Sequence, residues 1–449
     1  MGAAARDADS GTRCSGHRYA VLGAGALGLT VALRLLERGE EVVIYEREPV
    51  PGGLAAGFAL SEDVWLEKFY HHLFRSDHVI TRLIEELGLG GRLGWQRPLT
   101  TVLHHGQAHQ LDSPVSLLRF APLSLHDRLR MGLALAYLRA LRSSGPLEGK
   151  RAAAWLRSVT GPGAYDIVWA PLLTAKFGGR AEDVGLPWFW ARLHDRSREL
   201  GYLRGGFQHL YQRLAGRIQE LGGTIRLGTQ VGAIAREKTA LWITSAPVAA
   251  PQARSAERYS RVVSTFPTRL TCRLTPDLPD AYRYRYEWGD AYGAQCLILA
   301  LSSPLTDSYW MNVNQRGFPF VVLVEHTNYM SPKDYGGRHL VYLGNYLPMD
   351  HRSFRASHAQ VLETFTPYLR RINPAFSRDW IQESWLFTAP FAQPIVTVDY
   401  PDHIPPFRTP VEGLYLANMF QVYPHDRGQN YSVALAERLV KVLHADTNR

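Results

Sequence analysis

The 449-residue sequence has few cysteines and no long apolar run. Its three cysteines, Cys14, Cys272 and Cys296, show no metal-ligand spacing and fit a reducing compartment. No apolar run reaches the roughly 18 residues that a membrane-spanning helix needs. Residues 1–17 lack the apolar centre of a secretion signal. We therefore predict a cytoplasmic protein with a disordered leader over residues 1–17.

The sequence also lacks a dense basic run, although it carries a formal net charge of +9. A net positive charge can attract nucleic acid, anionic lipid or an anionic substrate. Because the arginines are scattered along the chain, we predict no nucleic-acid partner. A solvated, arginine-rich surface is the simplest interpretation, and an anionic substrate or membrane headgroups are the alternative.

A glycine turn near the amino terminus is the strongest functional signal. An apolar strand at 19–22 runs into Gly23, Gly25 and Gly28, with the spacing G-x-G-x-x-G, and a helix begins there. Such a turn lets the backbone approach a pyrophosphate, which then meets the free N–H groups of the helix. The next apolar strand ends at Glu46, where a carboxylate can accept hydrogen bonds from a ribose. This pattern predicts a dinucleotide site.

A second glycine pair, Gly52-Gly53, follows in the loop after that strand. Glycine there allows the backbone to pass close to a ligand without a Cβ in the way. A plain loop is the alternative. The cofactor contacts predicted in this first segment are Gly23, Gly25, Ala26, Leu27, Gly28, Glu46, Arg47, Gly52, Gly53 and Leu54.

The rest of the chain returns to the same α/β pattern twice. A glycine pair, a helix and β-branched strands occupy 205–270, and an apolar strand and a closing helix end the chain. The residues between these α/β segments follow two patterns. Some alternate aromatic and polar positions, as strands do, and others form helical stretches. We predict an α/β fold with a Rossmann-like domain assembled from three segments (18–90, 205–270 and 385–449) and an inserted α+β substrate domain (91–204 and 271–384).

The run from Gly23 through Glu46 to Gly52-Gly53 resembles the fingerprint of the flavin amine oxidase superfamily. That superfamily includes protoporphyrinogen oxidases, phytoene desaturases and monoamine oxidases. Residues 413–431 resemble the segment that closes over the flavin there. Residues 205–231 are similar to the strand at the adenine end, and residues 69–74 and 169–173 look like bacterial protoporphyrinogen-oxidase-like proteins.

The resemblance implies FAD as the cofactor. It implies backbone contacts at Val231, and backbone N–H groups near Gly428 that stabilise negative charge on the reduced flavin. Many relatives have Gly-Asp where this chain has Asn418, an uncharged residue that can still donate and accept hydrogen bonds. The cofactor contacts implied outside the first segment are Val231, Asn418, Met419, Gly428, Asn430 and Tyr431.

Three residues are candidates for catalysis. His71 and His72 follow the glycine pair and could move a substrate proton or bind a phosphate. The alternative is that one packs in the core while the other hydrogen-bonds the backbone. Arg427 could face the flavin or an anionic substrate, or pair with Asp426 to fix its loop. No metal is predicted, because no third ligand has suitable spacing.

Other charged side chains are given structural roles. We expect Lys176 at the surface, with an approach to the flavin as the alternative. Trp188, Phe189 and Trp190 are expected to pack in the core while Arg192 extends to solvent, with an apolar substrate channel lined by this segment as the alternative. The stretch around 125–141 alternates arginines with apolar residues, a pattern that usually packs one face on the protein but can also lie on anionic lipid.

The favoured function is an FAD-dependent oxidoreductase, an oxidase, dehydrogenase or desaturase, that transfers a hydride from a small organic substrate to flavin N5. No second glycine fingerprint indicates an NAD(P)H site, and the electron acceptor is not identified. An anionic or lipid-linked substrate and peripheral membrane contact are left open. The alternative activity is that of a UDP-galactopyranose mutase-like enzyme, without net oxidation, acting on a nucleotide sugar. A non-catalytic flavin-binding scaffold is a third class.

Overall fold

A computed structural model describes residues 17–447 of the chain. Cys14 and all but the last residue of the predicted leader lie outside this range. Within it there are twenty strands. In chain order they are β1 Arg18–Leu22, β2 Glu41–Tyr45, β3 Gly57–Ser61, β4 Val64–Glu67, β5 Leu73–Phe74, β6 Leu93–Gln96, β7 Thr100–His104, β8 Gln107–Gln110, β9 Leu200–Leu203, β10 Thr224–Arg226, β11 Thr229–Glu237, β12 Ala240–Pro247, β13 Ser255–Tyr259, β14 Arg261–Ser264, β15 Ala291–Leu301, β16 Trp310–Val313, β17 Val322–Glu325, β18 His339–Leu347, β19 Ile381–Pro394 and β20 Leu414–Leu416.

Helices join these strands, and several short 3-10 turns and one π-helical segment, Tyr165–Trp169, complete the described chain. The α-helices are α1 Ala26–Leu36, α2 His78–Glu86, α3 Pro114–Leu118, α4 Leu125–Ala140, α5 Ala152–Thr160, α6 Pro162–Ala164, α7 Ala170–Phe177, α8 Leu186–His194, α9 Gln208–Glu220, α10 Thr268–Leu274, α11 Asp280–Tyr286, α12 His358–Ile372 and α13 Gln429–Thr447.

A five-stranded parallel sheet, in the order β10-β2-β1-β14-β20, forms the centre of the first domain. Its central strands are buried on both faces, which explains their almost uninterrupted apolar sequences. Helices α1, α9 and α13 contribute to the core on one face. The antiparallel strands β11, β12 and β13 cover the other. Because all five strands are parallel, their carboxyl ends share one edge, where ligands bind in such folds.

A second large sheet has seven strands, parallel and antiparallel, in the order β19-β15-β18-β17-β16-β7-β8. Helix α12 packs on it through an apolar cluster. Helices α4, α5, α7 and α8 build a separate core in which Trp188 and Phe189 are almost fully buried. Core packing of Trp188, Phe189 and Trp190 is therefore confirmed.

The predicted α/β class, with a dinucleotide-type sheet drawn from three separated segments, is confirmed. The predicted domain boundaries remain a proposal. The boundary at 384/385 falls inside β19 and the boundary at 270/271 inside α10. Strand β9 pairs with β5 and β6, so one small sheet joins the predicted first cofactor segment, 18–90, to both ends of the predicted substrate segment 91–204.

Candidate functional site

The turn from β1 into α1 is shaped by two glycines. Gly23 has a φ of +107°, and a Cβ on it would lie 2.4 Å from the Thr265 hydroxyl oxygen. A Cβ on Gly28 would lie 2.0 Å from the Gly23 carbonyl oxygen. Both positions therefore require glycine, because a side chain would collide with the turn or with the strand beside it.

The start of α1 is prepared for an anion. Gly25 precedes the helix and provides no side-chain cap, and the first turn contains no acidic residue. The first N–H groups of a helix have no intrahelical acceptor. Those of Ala26, Leu27 and Gly28 are therefore left for a ligand, in a position where the helix dipole also favours negative charge.

The second glycine pair touches the first turn. Gly52 donates its N–H to the Ala24 carbonyl at 2.8 Å and forms an isolated parallel bridge with Gly25. A Cβ on Gly53 would lie 3.2 Å from the Cα of Gly25. Leu54 follows at the surface, 36% exposed. Two glycine segments from different loops thus share one narrow space.

Glu46 is the acid at the end of β2, and its carboxylate lies beside the glycine turn. One oxygen accepts the N–H of Ala24 at 2.8 Å, and the other accepts the N–H of Glu48 at 2.9 Å. Each carboxylate oxygen can accept a further hydrogen bond. The Arg47 side chain, in contrast, is 69% exposed and pairs with Glu48, so the structure does not bring its guanidinium into this buried contact.

The middle segment reaches the same place through two side chains. Gln208, at the start of α9, donates to the Pro51 carbonyl at 3.0 Å, and Tyr211 donates to Gln429 at the start of α13. The N–H of Thr229 donates to the Glu46 carbonyl at 2.8 Å. Val231, buried two residues further on, precedes a register shift in β11. Segments from the beginning, middle and end of the chain therefore meet.

Asn418 follows β20 and is buried among protein partners. Its amide donates to the Phe266 carbonyl at 2.9 Å and the Thr268 hydroxyl at 3.1 Å, and its side-chain oxygen accepts the N–H of Phe420. These bonds tie the end of β20 to the end of β14. Met419 begins the short 3-10 turn that follows.

The side chains at the start of α13 also have structural partners. The Asn430 oxygen accepts the N–H groups of Val79 and Ile80, both at 3.1 Å, and so caps α2. The Tyr431 hydroxyl donates to Asp195 at 2.7 Å. The Gly428 carbonyl accepts from Ser432. The contacts predicted between Gly428, Asn430 or Tyr431 and the flavin remain proposals.

A buried charge cluster lies just before α13. The Asp426 carboxylate pairs with Lys176, with Arg192 at 3.2 Å and with the amide of Gln393 at 3.4 Å. Burial opposes ionisation of Asp426, but the cations Lys176, Arg192 and Arg427 hold its pKa below the usual value. We define these residues, Lys176, Arg192, Asp426 and Arg427, as the charge cluster.

Two expectations from the sequence are corrected by this cluster. Lys176 is 8% exposed rather than at the surface, and Arg192 turns inward to Asp426 rather than to solvent. Both cations also lie over the Trp188 ring, at 5.1 and 5.6 Å. The sequence contains one signal for this buried pairing, because Lys176 is an isolated lysine within the apolar stretch of α7. A lysine without an anionic partner would not stay buried there.

Arg427 does not form the side-chain pair with Asp426 that was the alternative to a contact with the flavin or an anionic substrate. Its guanidinium donates to the Ala392 carbonyl and to the Tyr346 hydroxyl at 2.7 Å, while only its backbone N–H donates to Asp426. Tyr346 in turn contacts the Tyr70 hydroxyl at 3.2 Å. Arg427 thus links the charge cluster to the segment that carries His71. Neither tyrosine stands out in the sequence among so many aromatic residues.

His71 and His72 occupy different surroundings. The Nδ1 of His71 lies 2.6 Å from the Phe69 carbonyl, so this nitrogen carries the proton. The Nδ1 of His72 lies 2.9 Å from the Tyr309 hydroxyl, and its ring packs against Phe74. Burial lowers the pKa of His71 to about 4 and that of His72 to about 3. His71 thus hydrogen-bonds the backbone while His72 packs among aromatic side chains, which is the alternative to a catalytic role given in the sequence analysis. Both rings are neutral at pH 7.

A cavity of about 540 Å³ opens between α10 and the end of β19. Arg269, Trp288, Gly289 and Ile395 are among its lining residues. Gly289 lies against Phe420, which follows Asn418 and Met419. Within residues 17–447, no group of three histidine, cysteine or acidic side chains is placed to hold a metal ion.

The parallel sheet, the uncapped helix start and the paired glycine loops define a dinucleotide-binding protein with an inserted substrate domain. The sequence model of the flavin-containing amine oxidoreductases matches residues 28–425. The chain belongs to this family, its cofactor is FAD, and its class is that of the FAD-dependent oxidoreductases.

Individual sequence relatives match over short regions. Zeta-carotene desaturase of Zea mays is 28% identical over 137 residues, which cover 28% of this chain and 24% of the relative. The 15-cis-phytoene desaturase of Synechococcus elongatus is 34% identical over 79 residues, or 18% and 17% of the two chains. The chain thus matches about a quarter or less of the length of these relatives.

Solved structures match over nearly the whole chain. A proposed protoporphyrinogen oxidase from an Exiguobacterium species has a TM-score of 0.75 at 18% identity, covering 96% of this chain and 99% of its own. Reduced UDP-galactopyranose mutase has a TM-score of 0.72 at 16% identity, covering 96% of both chains. Putrescine oxidase has a TM-score of 0.65 at 16% identity, with 96% and 99% covered. At these identities the likeness establishes the fold alone.

Proposed function

We propose that the protein is an FAD-dependent oxidase, dehydrogenase or desaturase that removes a hydride from a small organic substrate. The observation that carries this proposal is the excess of positive charge in the charge cluster. Immediately before α13, Lys176 and Arg192 share one carboxylate, that of Asp426, and the Arg427 guanidinium lies near it without pairing with it. Burial and the nearby arginines lower the pKa of Lys176 well below its usual value, the direction expected where cations outnumber anions. Buried cations in excess are costly unless an anion is close by. The cluster therefore favours a negatively charged partner.

That partner would be either the reduced flavin or an anionic group of the substrate. Bound FAD supplies the acceptor of the hydride at N5. The N–H groups of Ala26, Leu27 and Gly28 would hold its pyrophosphate, and Glu46 would hold a ribose. The guanidinium groups of Arg192 and Arg427 are already held in place by protein partners, so stabilising a new negative charge requires little rearrangement.

His71 is the better candidate for moving a proton. The Phe69 carbonyl fixes the proton on Nδ1, so Nε2 carries a lone pair. No described residue donates a hydrogen bond to that nitrogen, whereas His72 is held between Tyr309 and its aromatic neighbours. A neutral histidine with a free lone pair can accept a proton from a substrate.

The 540 Å³ cavity has the size of a small-molecule site. Arg269 lines it and makes no hydrogen bond or ion pair with any described residue. A guanidinium without a partner can bind a carboxylate or phosphate of the substrate. We propose that this cavity leads towards the flavin. The free, buried Cys272 and Cys296 agree with a reducing compartment, for which the cytoplasm is proposed.

The test is an anaerobic screen of the FAD-loaded protein with amines, polyprenyl compounds, porphyrinogens and nucleotide sugars, followed by flavin absorbance. Bleaching by one class supports net oxidation and identifies the substrate class. Turnover of a nucleotide sugar only after dithionite would replace the proposal with the mutase activity. If no compound bleaches the flavin and none is converted, the scaffold interpretation is favoured.

The two histidines provide a matched pair in the same assay. We expect His71→Gln to slow anaerobic flavin reduction by about 100-fold, the usual range for loss of a proton acceptor. His72→Gln should slow it much less, because its ring is enclosed by the rings of Phe74, Tyr309 and Trp310. FAD content and thermal unfolding measured on both variants separate a catalytic effect from loss of structure. Equal rates for the two variants would contradict the role of His71.

A further inference from the structure

Helices α3 and α4 expose an unusual number of apolar side chains. Of the eleven large apolar side chains that are exposed among residues 17–447, six lie here. The four on α4 recur at every fourth position and so share one side of the helix. Met131, Ala134 and Leu138 hold the other side of α4 in the core. The six exposed side chains, which we call the apolar stripe, are Val115 at 56%, Leu118 at 49%, Leu125 at 62%, Leu129 at 52%, Leu133 at 72% and Tyr137 at 48%.

The two helices that carry the apolar stripe are held together. The Arg128 guanidinium donates to the Leu118 carbonyl at 2.7 Å and to the Leu123 carbonyl at 2.8 Å. Leu117 packs close to Gly132 of α4. Ser113 and Ser124 cap α3 and α4 through their hydroxyl oxygens. The apolar stripe is therefore presented by a defined platform rather than by a loose loop.

The charged residues next to the apolar stripe are mostly positive. Residues 112–142 contain five arginines and two aspartates. Asp127 is occupied at the start of α4, where Ser124 donates to its carboxylate at 2.9 Å. Arg119, Arg139 and Arg142 are exposed. The surface thus combines apolar side chains with a net positive charge, which matches the boundary of a membrane that contains anionic lipid.

We propose that the apolar stripe docks on the surface of an anionic lipid bilayer, with the arginines at the headgroups. A second copy of the chain fits less well, because a two-fold contact would place the same positive charges opposite each other. No helix within residues 17–447 is long and apolar enough to span a bilayer, so the contact is interfacial. The proposal rests on none of the assignments made for the flavin site.

The experiment is flotation of the FAD-loaded full chain with vesicles of phosphatidylcholine alone or mixed with phosphatidylglycerol. We expect binding to the mixed vesicles and little to the neutral ones. Leu129→Ser with Leu133→Ser should weaken binding at least about tenfold, through loss of buried apolar area. Arg119→Gln with Arg142→Gln should weaken it about fivefold per arginine and remove the preference for phosphatidylglycerol.

The matched control is Tyr284→Ser with Met349→Ser, which removes exposed apolar side chains elsewhere. It should bind as the unchanged protein does. Thermal unfolding of every variant checks that the fold is kept. We expect it to be kept, because the substituted side chains are exposed. Failure of the unchanged protein to bind mixed vesicles, or equal binding by the leucine variant, overturns the proposal. A dimer that the leucine changes dissociate, without vesicle binding, would identify a second copy as the occupant.

Discussion

The glycine turn and the charge cluster both follow carboxyl ends of the same parallel sheet, one after β1 and the other beyond β20. The turn is built within one short segment, where the backbone of Gly23 and Gly28 leaves no room for a side chain. The cluster is built from the neighbouring helices α7 and α8 and from the segment before α13, which follows them by more than 200 residues along the chain. The first therefore depends on backbone geometry and the second on tertiary packing.

This difference predicts different consequences of substitution. A change at Gly25 of the turn should remove the ligand while most of the fold survives, because Gly25 is only partly buried and an added Cβ there has space. A change in the charge cluster should act on the free energy of unfolding, because it leaves buried charges without partners. The experiments that follow compare the two regions.

The largest effect is expected for Gly25→Val. An added Cβ has space, since its nearest neighbour is the Cα of Gly53 at 3.9 Å, but the branches would fill the pyrophosphate site. We expect FAD binding to weaken at least about 1000-fold, or roughly 4.1 kcal/mol. Flavin absorbance of the purified protein, and titration with added FAD, measure this.

Gly94→Val is the control for that change. Gly94 lies in β6, with no atom within 4 Å of an added Cβ, and valine favours strands. The control should retain its flavin. A full complement of FAD in the Gly25→Val protein would mean that the pyrophosphate does not lie at this turn.

The next effect is expected for Asp426→Asn, which removes the carboxylate that Lys176 and Arg192 share. Loss of one partner of a buried ion pair costs about 3 kcal/mol or more. Lys176→Met is the matched variant, and it should cost less because Asp426 keeps Arg192 and Gln393. Urea unfolding at saturating FAD compares the two. Equal losses of unfolding free energy in the two variants would contradict the excess of cations over anions in the charge cluster.

The pH dependence sharpens this comparison. Because the cations hold the pKa of Asp426 below its usual value, its contribution to stability is complete above about pH 4 and is lost on further acidification. The difference in unfolding free energy between the unchanged protein and Asp426→Asn should stay constant from pH 7 to about pH 4.5 and shrink below. A difference that instead shrank above pH 5 would show that Asp426 is not held in its ionised form.

The smallest effect is expected for Glu46→Ala, in the first region. Losing a carboxylate beside the turn should weaken FAD by roughly 1–3 kcal/mol, the cost of leaving buried polar groups unpaired. Glu48→Ala is the control, since its side chain is 44% exposed and pairs with Arg47. Fluorescence titration with FAD gives both affinities. Unchanged FAD affinity of the Glu46→Ala protein would contradict the proposal that Glu46 binds a ribose of the cofactor.

Local patterns predicted the elements of the cofactor domain well. The helix predicted within residues 205–270 is α9, and the predicted closing helix is α13. Long-range contacts were predicted less well. Lys176 and Arg192 were expected near solvent, because a charge within one helix gives no indication of a partner on another segment.

The sequence alone established the nucleotide-binding turn, the family resemblance and the three segments of the parallel sheet. These follow from glycine spacing and apolar strands, which constrain the backbone over a few residues. Tertiary packing alone placed Asp426 between Lys176 and Arg192 and left the apolar stripe of α3 and α4 uncovered. Which charges are compensated and which apolar faces stay exposed depends on segments far apart in the chain, and no local pattern encodes that.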